Sequence, residues 1–354
     1  MTKPNPNIEA FVKLGEFLRL FCDFIHGAEI TDEPTLAWIT KFNDVAERAV
    51  HHNGWFTKEN VVYSFGRWAN VLTEVKLTAW LSEYNLGKNN QINVALIMAG
   101  NIPMVGFHDL LSVLITGNRA LIKLSSNDIL LVPLITDYLV HIEPSFKDKV
   151  SFSEERLTGF DAVIATGSNN TARYFEYYFG KKPNIVRKNR NSVAVLSGNE
   201  TTADLEALGE DIFRYYGLGC RSVSKLFVPQ GYNFEKFYTS IFKYQNIINQ
   251  AKYANNYDYN KAVYLMSEFK ILDNGFLMLK EDESNASPIA SVFYETYDSV
   301  TTIKNKLKNE AEAIQCVVAK GLIKNEVLFG ETQNPSLSDY ADGVDTVEFL
   351  LKTS

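Results

Sequence analysis

The sequence predicts an α/β protein with a doubly wound parallel sheet, followed by a second α/β unit. Short apolar runs of strand length alternate with helical patterns from residue 92 onward. Glycines separate several of these runs, as Gly100, Gly117 and Gly167 do. Such alternation is typical of parallel strands joined by right-handed helical crossovers. With 354 residues, 46% of them hydrophobic, the chain is long enough for two domains.

The first part of the chain, residues 8–80, predicts helices. Its large apolar side chains recur every three or four residues, which places them on one face of a helix. In the first helix these residues are Phe11, Leu14, Phe17, Leu18 and Phe21. Four predicted strands follow, at 92–98, 120–124, 160–166 and 192–196. One predicted helix lies between each strand and the next, at 107–116, 128–142 and 171–179. We expect these four strands to share one sheet.

A second α/β unit follows in the sequence. A helix from residue 205 leads into a glycine-rich turn, and strands at 225–228, 289–294 and 314–319 alternate with helices at 234–242 and 300–307. We therefore expect a first domain over 1–213 and a second over 214–329. The segment 330–354 is expected to pack back on the first domain.

Composition excludes several classes of protein. The formal net charge of −7 and the pI of about 5.4 argue against a general nucleic-acid binder, which carries a basic face. The three cysteines are far apart and have neither metal-ligand spacing nor a disulfide framework, so we expect no metal and a reducing, cytoplasmic compartment. The most apolar region, 92–124, contains too many polar residues for a membrane span. The polar stretch 1–7 lacks the apolar core of a signal peptide.

Cys220 is the candidate nucleophile. It follows Gly217-Leu218-Gly219 and precedes Arg221. A nearby cation or a set of backbone amides favours the reactive thiolate, and glycines allow a turn to present such amides. Within this segment alone, a buried cysteine acting as a small hydrophobic residue is the more common outcome.

Polar residues follow three predicted strands. Asn101, then Lys123-Leu124-Ser125-Ser126, then Thr166-Gly167-Ser168 come where the strands end. Ligands of doubly wound sheets bind at this edge, and a helix opening with Gly167 and Ser168 presents amides to an anion. Gly-x-Gly-x-x-Gly is absent. Each feature also has a purely structural interpretation: a capped loop, an exposed strand-end lysine, and an asparagine in a turn.

The order of these signals resembles the aldehyde dehydrogenase superfamily. Asn101-Ile102-Pro103, then 117–125 (GNRALIKLS), then Thr166-Gly167-Ser168, then a single downstream Cys220 match that family's Asn-Phe-Pro, Gly-Asn-x-Val-x-x-Lys-Pro-Ser, Thr-Gly-Ser and nucleophilic cysteine. The resemblance spans roughly 93–318. It implies an aldehyde-dehydrogenase-like fold, with a nicotinamide-cofactor domain and a catalytic domain.

The segments 217–224 (GLGCRSVS) and 339–346 (DYADGVDT) are similar to one branch, the acyl-CoA reductases. Aldehyde-oxidising relatives carry a water-activating glutamate in a Glu-Leu-Gly-Gly-Lys motif after the Thr-Gly-Ser loop. The corresponding stretch here, 186–192 (VRKNRNS), has no carboxylate. Without a general base for water, an acyl-enzyme is better resolved by hydride or a thiol than by hydrolysis.

The resemblance also implies the cofactor and its contacts. Ser126 stands where NAD-binding relatives carry a glutamate for the ribose hydroxyls, which leaves room for a 2′-phosphate and favours NADPH, with NADH as the alternative. Lys123, Ser125, Gly167 and Ser168 are the other expected cofactor contacts. Glu283 is the candidate for the residue that orients the nicotinamide ribose. The basic residues of 181–190 either meet phosphates or form a solvated surface.

The expected function is reduction of a CoA thioester to an aldehyde through an acyl group on Cys220. Asn101 and the Cys220 amide would stabilise the oxyanions. An aldehyde or semialdehyde dehydrogenase is the alternative, and a non-catalytic cofactor-binding partner protein is an alternative of another class. An acyl carrier protein as donor and a homo-oligomer stay open.

Overall fold

The structure is a computed structural model that describes residues 6–87 and 90–354. The first five residues of the polar N-terminal stretch lie outside the described part of the chain. The chain divides into two compact units, one formed by residues up to 188 together with 336–354, the other by residues 189–335. This division falls at residue 188, whereas the sequence predicted a boundary after 213.

The first unit begins with four helices: α1 (Pro6–Ile25), α2 (Glu33–His52), α3 (Lys58–Val71) and α4 (Glu74–Leu81). The side chains of Asp32, Thr57 and Thr73 cap the last three by accepting backbone amides. The five apolar residues predicted to form one face of α1 are all buried. Phe21, Phe42 and Phe65 contact one another edge-on or tilted and join the first three helices.

The first sheet has five parallel strands: β1 (Asn93–Ile97), β2 (Arg119–Lys123), β3 (Val150–Phe152), β4 (Ala162–Thr166) and β5 (Asn184–Arg187). Their order is β3-β2-β1-β4-β5. The helices α5 (Phe107–Ile115), α6 (Leu131–Ile142) and α7 (Asn169–Phe179) connect them. Because β1 is central and the chain winds outward from it in both directions, this is the predicted doubly wound parallel sheet.

The C-terminal segment 336–354 completes the first unit with a final helix, α12 (Thr346–Thr353). His108 contacts the Leu337 carbonyl through Nε2 at 2.9 Å, and the Tyr84 hydroxyl donates to Asp345 at 2.6 Å. Burial lowers the pKa of His108 below its ordinary 6.5.

The second unit holds a six-stranded sheet in the order β11-β6-β7-β10-β9-β8. Its strands are β6 (Asn191–Val195), β7 (Val223–Pro229), β8 (Ile271–Asp273), β9 (Met278–Glu281), β10 (Ser291–Tyr297) and β11 (Ile314–Val318). Among the described strands, only β8 pairs antiparallel, with β9. The helices are α8 (Thr202–Phe213), α9 (Phe234–Ile241), α10 (Ala251–Met266) and α11 (Val300–Asn309).

One strand lies in a different sheet from the one predicted. The run at 192–196 was expected in the first sheet, but β6 pairs with β7 and β11 in the second. Because β6 belongs to the second sheet, the second unit begins before it, at residue 189. Strands β3, β5, β8 and β9 were not predicted from the sequence. No helix of the described residues combines the length and apolar character needed to cross a membrane.

Candidate active site

The parallel register of the first sheet aligns the ends of its three central strands. Ile97, the last residue of β1, pairs with Lys123 on β2 and with Ala165 on β4. The ends of these strands and the loops after them carry all the site residues that the sequence placed in the first unit. These residues are Asn101, Lys123, Ser125, Ser126, Gly167 and Ser168. The structure therefore brings them to one edge of the sheet, where ligands of such folds bind.

The loops after β1 and β2 approach each other closely at Gly100. A Cβ atom on Gly100 would lie 2.7 Å from Ser125 Oγ and 3.1 Å from the Asp128 amide. Only glycine permits this approach without displacing the second loop. Asn53 Nδ2 donates to the Gly100 carbonyl at 3.2 Å and fixes the first loop from the other side. The exposed Asn101 follows directly on this fixed backbone.

Asp128 ties the same two loops together. Its buried carboxylate accepts the amides of Leu131, at the start of α6, and of Met104, in the loop after β1. Met104 has a positive φ of 62°, so this loop has a strained backbone that needs external support. Burial raises the pKa of Asp128 to about 6, although both amides act in the opposite direction.

At the end of β2 and in the loop after it, two of the predicted cofactor residues already have protein partners. Lys123 Nζ donates to the Glu155 carbonyl at 3.2 Å, and Ser125 Oγ accepts the Asn127 amide at 3.2 Å. The next residue, Ser126, is exposed. A bound ligand would share or replace the first two contacts, whereas Ser126 faces solvent at the same edge.

The loop after β4 has the features of a phosphate-binding turn. Ser168 is exposed and caps α7 by accepting the Thr171 amide at 3.3 Å. A Cβ on Gly167 would lie 3.0–3.1 Å from the side chains of Phe175 and Thr171, so the glycine lets the loop lie close to the helix. A helix N-terminus presents amides that attract anions. This edge therefore fits the pyrophosphate of a dinucleotide cofactor.

In the second unit, Cys220 is exposed on a tight turn between α8 and β7. The Ser222 amide donates to the Gly219 carbonyl at 2.9 Å and closes the turn. Immediately before it, Tyr215, Tyr216 and Gly217 have positive φ angles of 55°, 59° and 76°. Two consecutive non-glycine residues in this region are costly, and such strain concentrates at functional sites.

Buried polar groups hold this turn, and they were not predicted from the sequence. Ser192 Oγ donates to the Cys220 carbonyl at 2.9 Å. Arg221 Nε donates to the Thr332 carbonyl, and the amide and hydroxyl of Thr332 donate to Asp211 at 3.0 and 2.8 Å. Burial raises the pKa of Asp211 to about 6. Asp211 lies on the face of α8 that buries apolar residues. An acidic residue on such a face is the feature of the sequence that could have indicated its role.

Glu283 lies on a loop fastened to β7. Its carbonyl accepts Nζ of the buried Lys225 at 2.7 Å, and Ser224 Oγ donates to the Asn285 carbonyl at 2.6 Å. The Glu283 side chain itself is exposed. The two predicted residues of the second unit therefore both lie beside β7: Cys220 in the turn before it, and Glu283 in the loop bonded to its first residues.

The basic residues of 181–190 do not form one patch. Arg187 is buried on β5, where its guanidinium bonds to Asp109 and, at 3.0 Å, to Thr346 Oγ1. Lys188 is exposed and pairs with Glu176 at 2.8 Å. Lys182 Nζ donates to the Phe160 carbonyl. Arg187 therefore has a structural role and is not available to a ligand phosphate.

Comparison with known proteins supplies a family match. A family model described as acyl-CoA reductase (LuxC) matches residues 87–288, more than half of the chain, and this range includes Cys220 and Glu283. The long-chain acyl-protein thioester reductase of Vibrio harveyi is 22% identical over 211 residues, which cover 53% of this chain and 43% of that relative. The chain thus matches less than half the length of that curated relative.

Solved structures with the same fold are aldehyde dehydrogenases, as the sequence predicted. Aldehyde dehydrogenase 21 from Physcomitrella patens, solved with succinate, has a TM-score of 0.67 at 12% identity, and the match covers 98% of this chain and 87% of that one. The indole-3-acetaldehyde dehydrogenase of P. syringae, solved with NAD⁺ and IAA, has a TM-score of 0.61 at 11% identity, covering 88% and 72%. At such identities the likeness concerns the fold alone.

Proposed function

Because the chain belongs to the acyl-CoA reductase family, we propose that it reduces an acyl thioester to an aldehyde through an acyl group carried on Cys220. The observation that supports this most directly is the exposed cysteine on a strained, internally anchored turn within the matched range. A nucleophile needs access to its substrate and a backbone that holds it in position, and Cys220 combines both.

The first unit is proposed to hold a nicotinamide cofactor at the edge formed by the loops after β1, β2 and β4. The fit rests on the close approach at Gly100 and Gly167 and on the amides at the start of α7. The exposed Ser126 in place of a ribose-binding carboxylate favours NADPH over NADH. When bound, the reduced nicotinamide supplies a hydride to the acyl carbon.

The chain's own residues account for the remaining chemistry. The Cys220 sulfur attacks the thioester carbonyl, a new C–S bond forms, and the donor thiol leaves as a thiolate that takes up a proton. The Cys220 amide is the proposed donor to the oxyanion, and loss of one such donor typically lowers the rate about 10²–10³-fold. The resemblance to aldehyde dehydrogenases implies the same role for the Asn101 side chain. After reduction, the C–S bond to Cys220 breaks, the aldehyde leaves, and the thiolate is restored.

Hydrolysis of the acyl group is disfavoured by the residues after α7. Arg187 is engaged with Asp109 and Thr346, and Lys188 and Asn189 follow it. The stretch 186–192, which corresponds to the water-activating glutamate motif of aldehyde-oxidising relatives, contains no carboxylate. An acyl group on Cys220 is therefore expected to persist until hydride or another thiol reaches it.

The test is a turnover assay with a series of acyl-CoA thioesters and with NADPH or NADH. We expect cofactor oxidation matched by aldehyde formation in the wild type and none in Cys220→Ala, while Cys22→Ala, which changes a cysteine in α1, keeps full activity. Equal turnover in wild type and Cys220→Ala would refute the nucleophile. Absence of turnover across chain lengths and both cofactors would refute the reductase.

An oxidative aldehyde dehydrogenase is the second candidate, because the solved structures that share the fold carry that name. It predicts that the protein reduces NAD⁺ or NADP⁺ in the presence of an aldehyde and water alone. We expect repeated turnover only when CoA or another thiol is added to accept the acyl group, because without an acceptor the oxidation stops at one acyl group per Cys220. Binding of cofactor without turnover in either direction would favour a non-catalytic partner protein. Replacing acyl-CoA by an acyl carrier protein thioester tests the nature of the donor.

A further inference from the structure

We propose that Ser192 is a positioning residue that fixes the backbone of Cys220, and this proposal rests on the function proposed above. The Ser192 side chain is fully buried on β6, the strand between β11 and β7. Its hydroxyl reaches the loop before β7 and donates to the Cys220 carbonyl at 2.9 Å. Burial of a hydroxyl costs free energy unless the hydroxyl forms hydrogen bonds, and the Ser192 hydroxyl forms them.

Irregular pairing on both sides of β6 aims this hydroxyl. On one side, Ser192 pairs with Val223 but Val193 pairs with Lys225, so β7 has one extra residue. On the other side, Asn191 pairs with Ile314 and Val193 with Val317, so β11 also has one extra residue. Bulges of this kind redirect side chains and are common beside active sites. Ser192 lies opposite both irregularities.

The hydrogen-bond direction at Ser192 follows from its partners. The Cys220 carbonyl can only accept, so the Ser192 hydroxyl donates its one hydrogen there. Cys316 Sγ lies 3.0 Å from Ser192 Oγ, and its thiol is therefore the donor to the serine oxygen. The resulting chain runs from the Cys316 thiol through the Ser192 hydroxyl to the Cys220 carbonyl.

The hydrogen bond from Ser192 to the Cys220 carbonyl bears on two groups of the proposed reaction, the Cys220 side chain and the Cys220 amide. The carbonyl fixes the peptide that follows Cys220, and the bond from the Ser222 amide to the Gly219 carbonyl closes the turn around it. Together they set the direction of the Cys220 side chain and of its own amide, the proposed oxyanion donor. A displacement of about 1 Å in a reacting group can lower a rate about 10²-fold.

The experiment compares Ser192→Ala with Ser240→Ala. Ser240 is a matched control, because it is also a buried serine of the second unit whose hydroxyl donates to a backbone carbonyl, that of Lys236 at 2.8 Å. Each variant is checked for folding by circular dichroism and thermal melting. The readouts are kcat and KM for acyl-CoA reduction, and the rate at which iodoacetamide alkylates Cys220, followed by peptide mass spectrometry.

We expect Ser192→Ala to lower kcat about 10–100-fold with the KM for NADPH changed less than about threefold, and to change the alkylation rate of Cys220 at least about threefold. Ser240→Ala should leave both unchanged, and Ser192→Thr, which keeps the hydroxyl, should recover most of the loss. A folded Ser192→Ala protein with wild-type alkylation, or equal effects in both alanine variants, would overturn the proposal. The alkylation measurement needs no substrate, so it decides the matter even if the wild type reduces no acyl thioester.

Discussion

The Asp211 carboxylate accepts both the amide and the hydroxyl of Thr332, at 3.0 and 2.8 Å. It also accepts the Gly330 amide at 2.7 Å, so one buried side chain organises the segment 330–332. The Thr332 carbonyl in turn accepts Arg221 Nε, beside Cys220. The turn that carries the proposed nucleophile is thus linked to a carboxylate on the preceding helix, α8.

Replacement of Asp211 by asparagine is expected to destabilise the protein. In the Asp211→Asn variant, the side-chain NH₂ group would face N–H and O–H donors of Gly330 and Thr332. At least one of these donors would then lose its acceptor. Hydrogen bonds to a charged group contribute about 1.5–3 kcal/mol, so we expect the free energy of unfolding to fall by about 2–4 kcal/mol. Urea denaturation followed by circular dichroism measures this loss.

The matched control is Asp258→Asn, which changes an exposed aspartate on helix α10 of the same unit. We expect it to change the unfolding free energy by less than about 0.5 kcal/mol. If Asp211→Asn were equally harmless, the three hydrogen bonds would not hold the segment 330–332 as described.

Asp128 is expected to make stability depend on pH. Burial raises the pKa of this carboxyl from 3.8 to about 6, so the folded protein favours the protonated form. The contribution to stability is therefore fully present below pH 3.8 and is lost as pH rises through about 6. The size of the shift corresponds to about 3 kcal/mol.

The measurement is the unfolding free energy of the wild type minus that of Asp128→Asn, taken from about pH 4 to about pH 7.5. We expect this difference to decrease by about 2–3 kcal/mol as pH rises, because asparagine does not titrate. A difference that stays flat across that window would show that burial does not raise the pKa of the Asp128 carboxyl.

Gly100→Ala is expected to weaken cofactor binding. The new methyl group would lie 2.7 Å from Ser125 Oγ and 2.8 Å from Ser125 Cβ, so the loops after β1 and β2 must separate. Overpacking of this kind costs about 1–3 kcal/mol. If the loops relieve the strain only when NADPH is not bound, the dissociation constant for NADPH rises about 5–150-fold. Fluorescence titration with NADPH measures it.

Gly66→Ala is the control for this substitution. Gly66 lies in α3, and an added Cβ would meet only Cys22 Sγ at 3.6 Å, an ordinary contact. Since alanine favours a helix over glycine by about 1 kcal/mol, this variant should gain stability and bind NADPH as the wild type does. If Gly100→Ala bound NADPH as tightly as the wild type does, the cofactor would not bind at this edge of the first sheet.

The fold class and most strands could be predicted from the sequence, because parallel strands are short, apolar and bounded by glycine or polar residues. Four strands were missed. Strands β3, β8 and β9 are only three or four residues long. Strand β5 was missed because Arg187 and the neighbouring lysines make it look like a charged surface. The charge is accommodated only through a distant partner, Asp109, and no local pattern reveals such a pair. Assignment of β6 to the wrong sheet has a similar cause, because strand pairing depends on contacts between distant residues.

Only part of the candidate site could be predicted from the sequence. Residues that follow strand ends, such as Asn101 and Ser168, could be placed from local pattern, because parallel strands bring their carboxyl ends to one edge. The residues that hold the Cys220 turn could not. Ser192 and Asp211 act through contacts with residues 28 and 121 positions away in the sequence, and only the folded chain brings them together.

An acyl group on Cys220 is the central element of the proposed mechanism, and mass spectrometry detects it directly. Protein is mixed with acyl-CoA in the absence of cofactor, and its mass is measured before and after NADPH is added. We predict a mass increase of one acyl group, mapped to Cys220, with release of CoA, and loss of that group as aldehyde once NADPH is present. An unmodified Cys220 in a preparation that nevertheless converts acyl-CoA to aldehyde would contradict the mechanism.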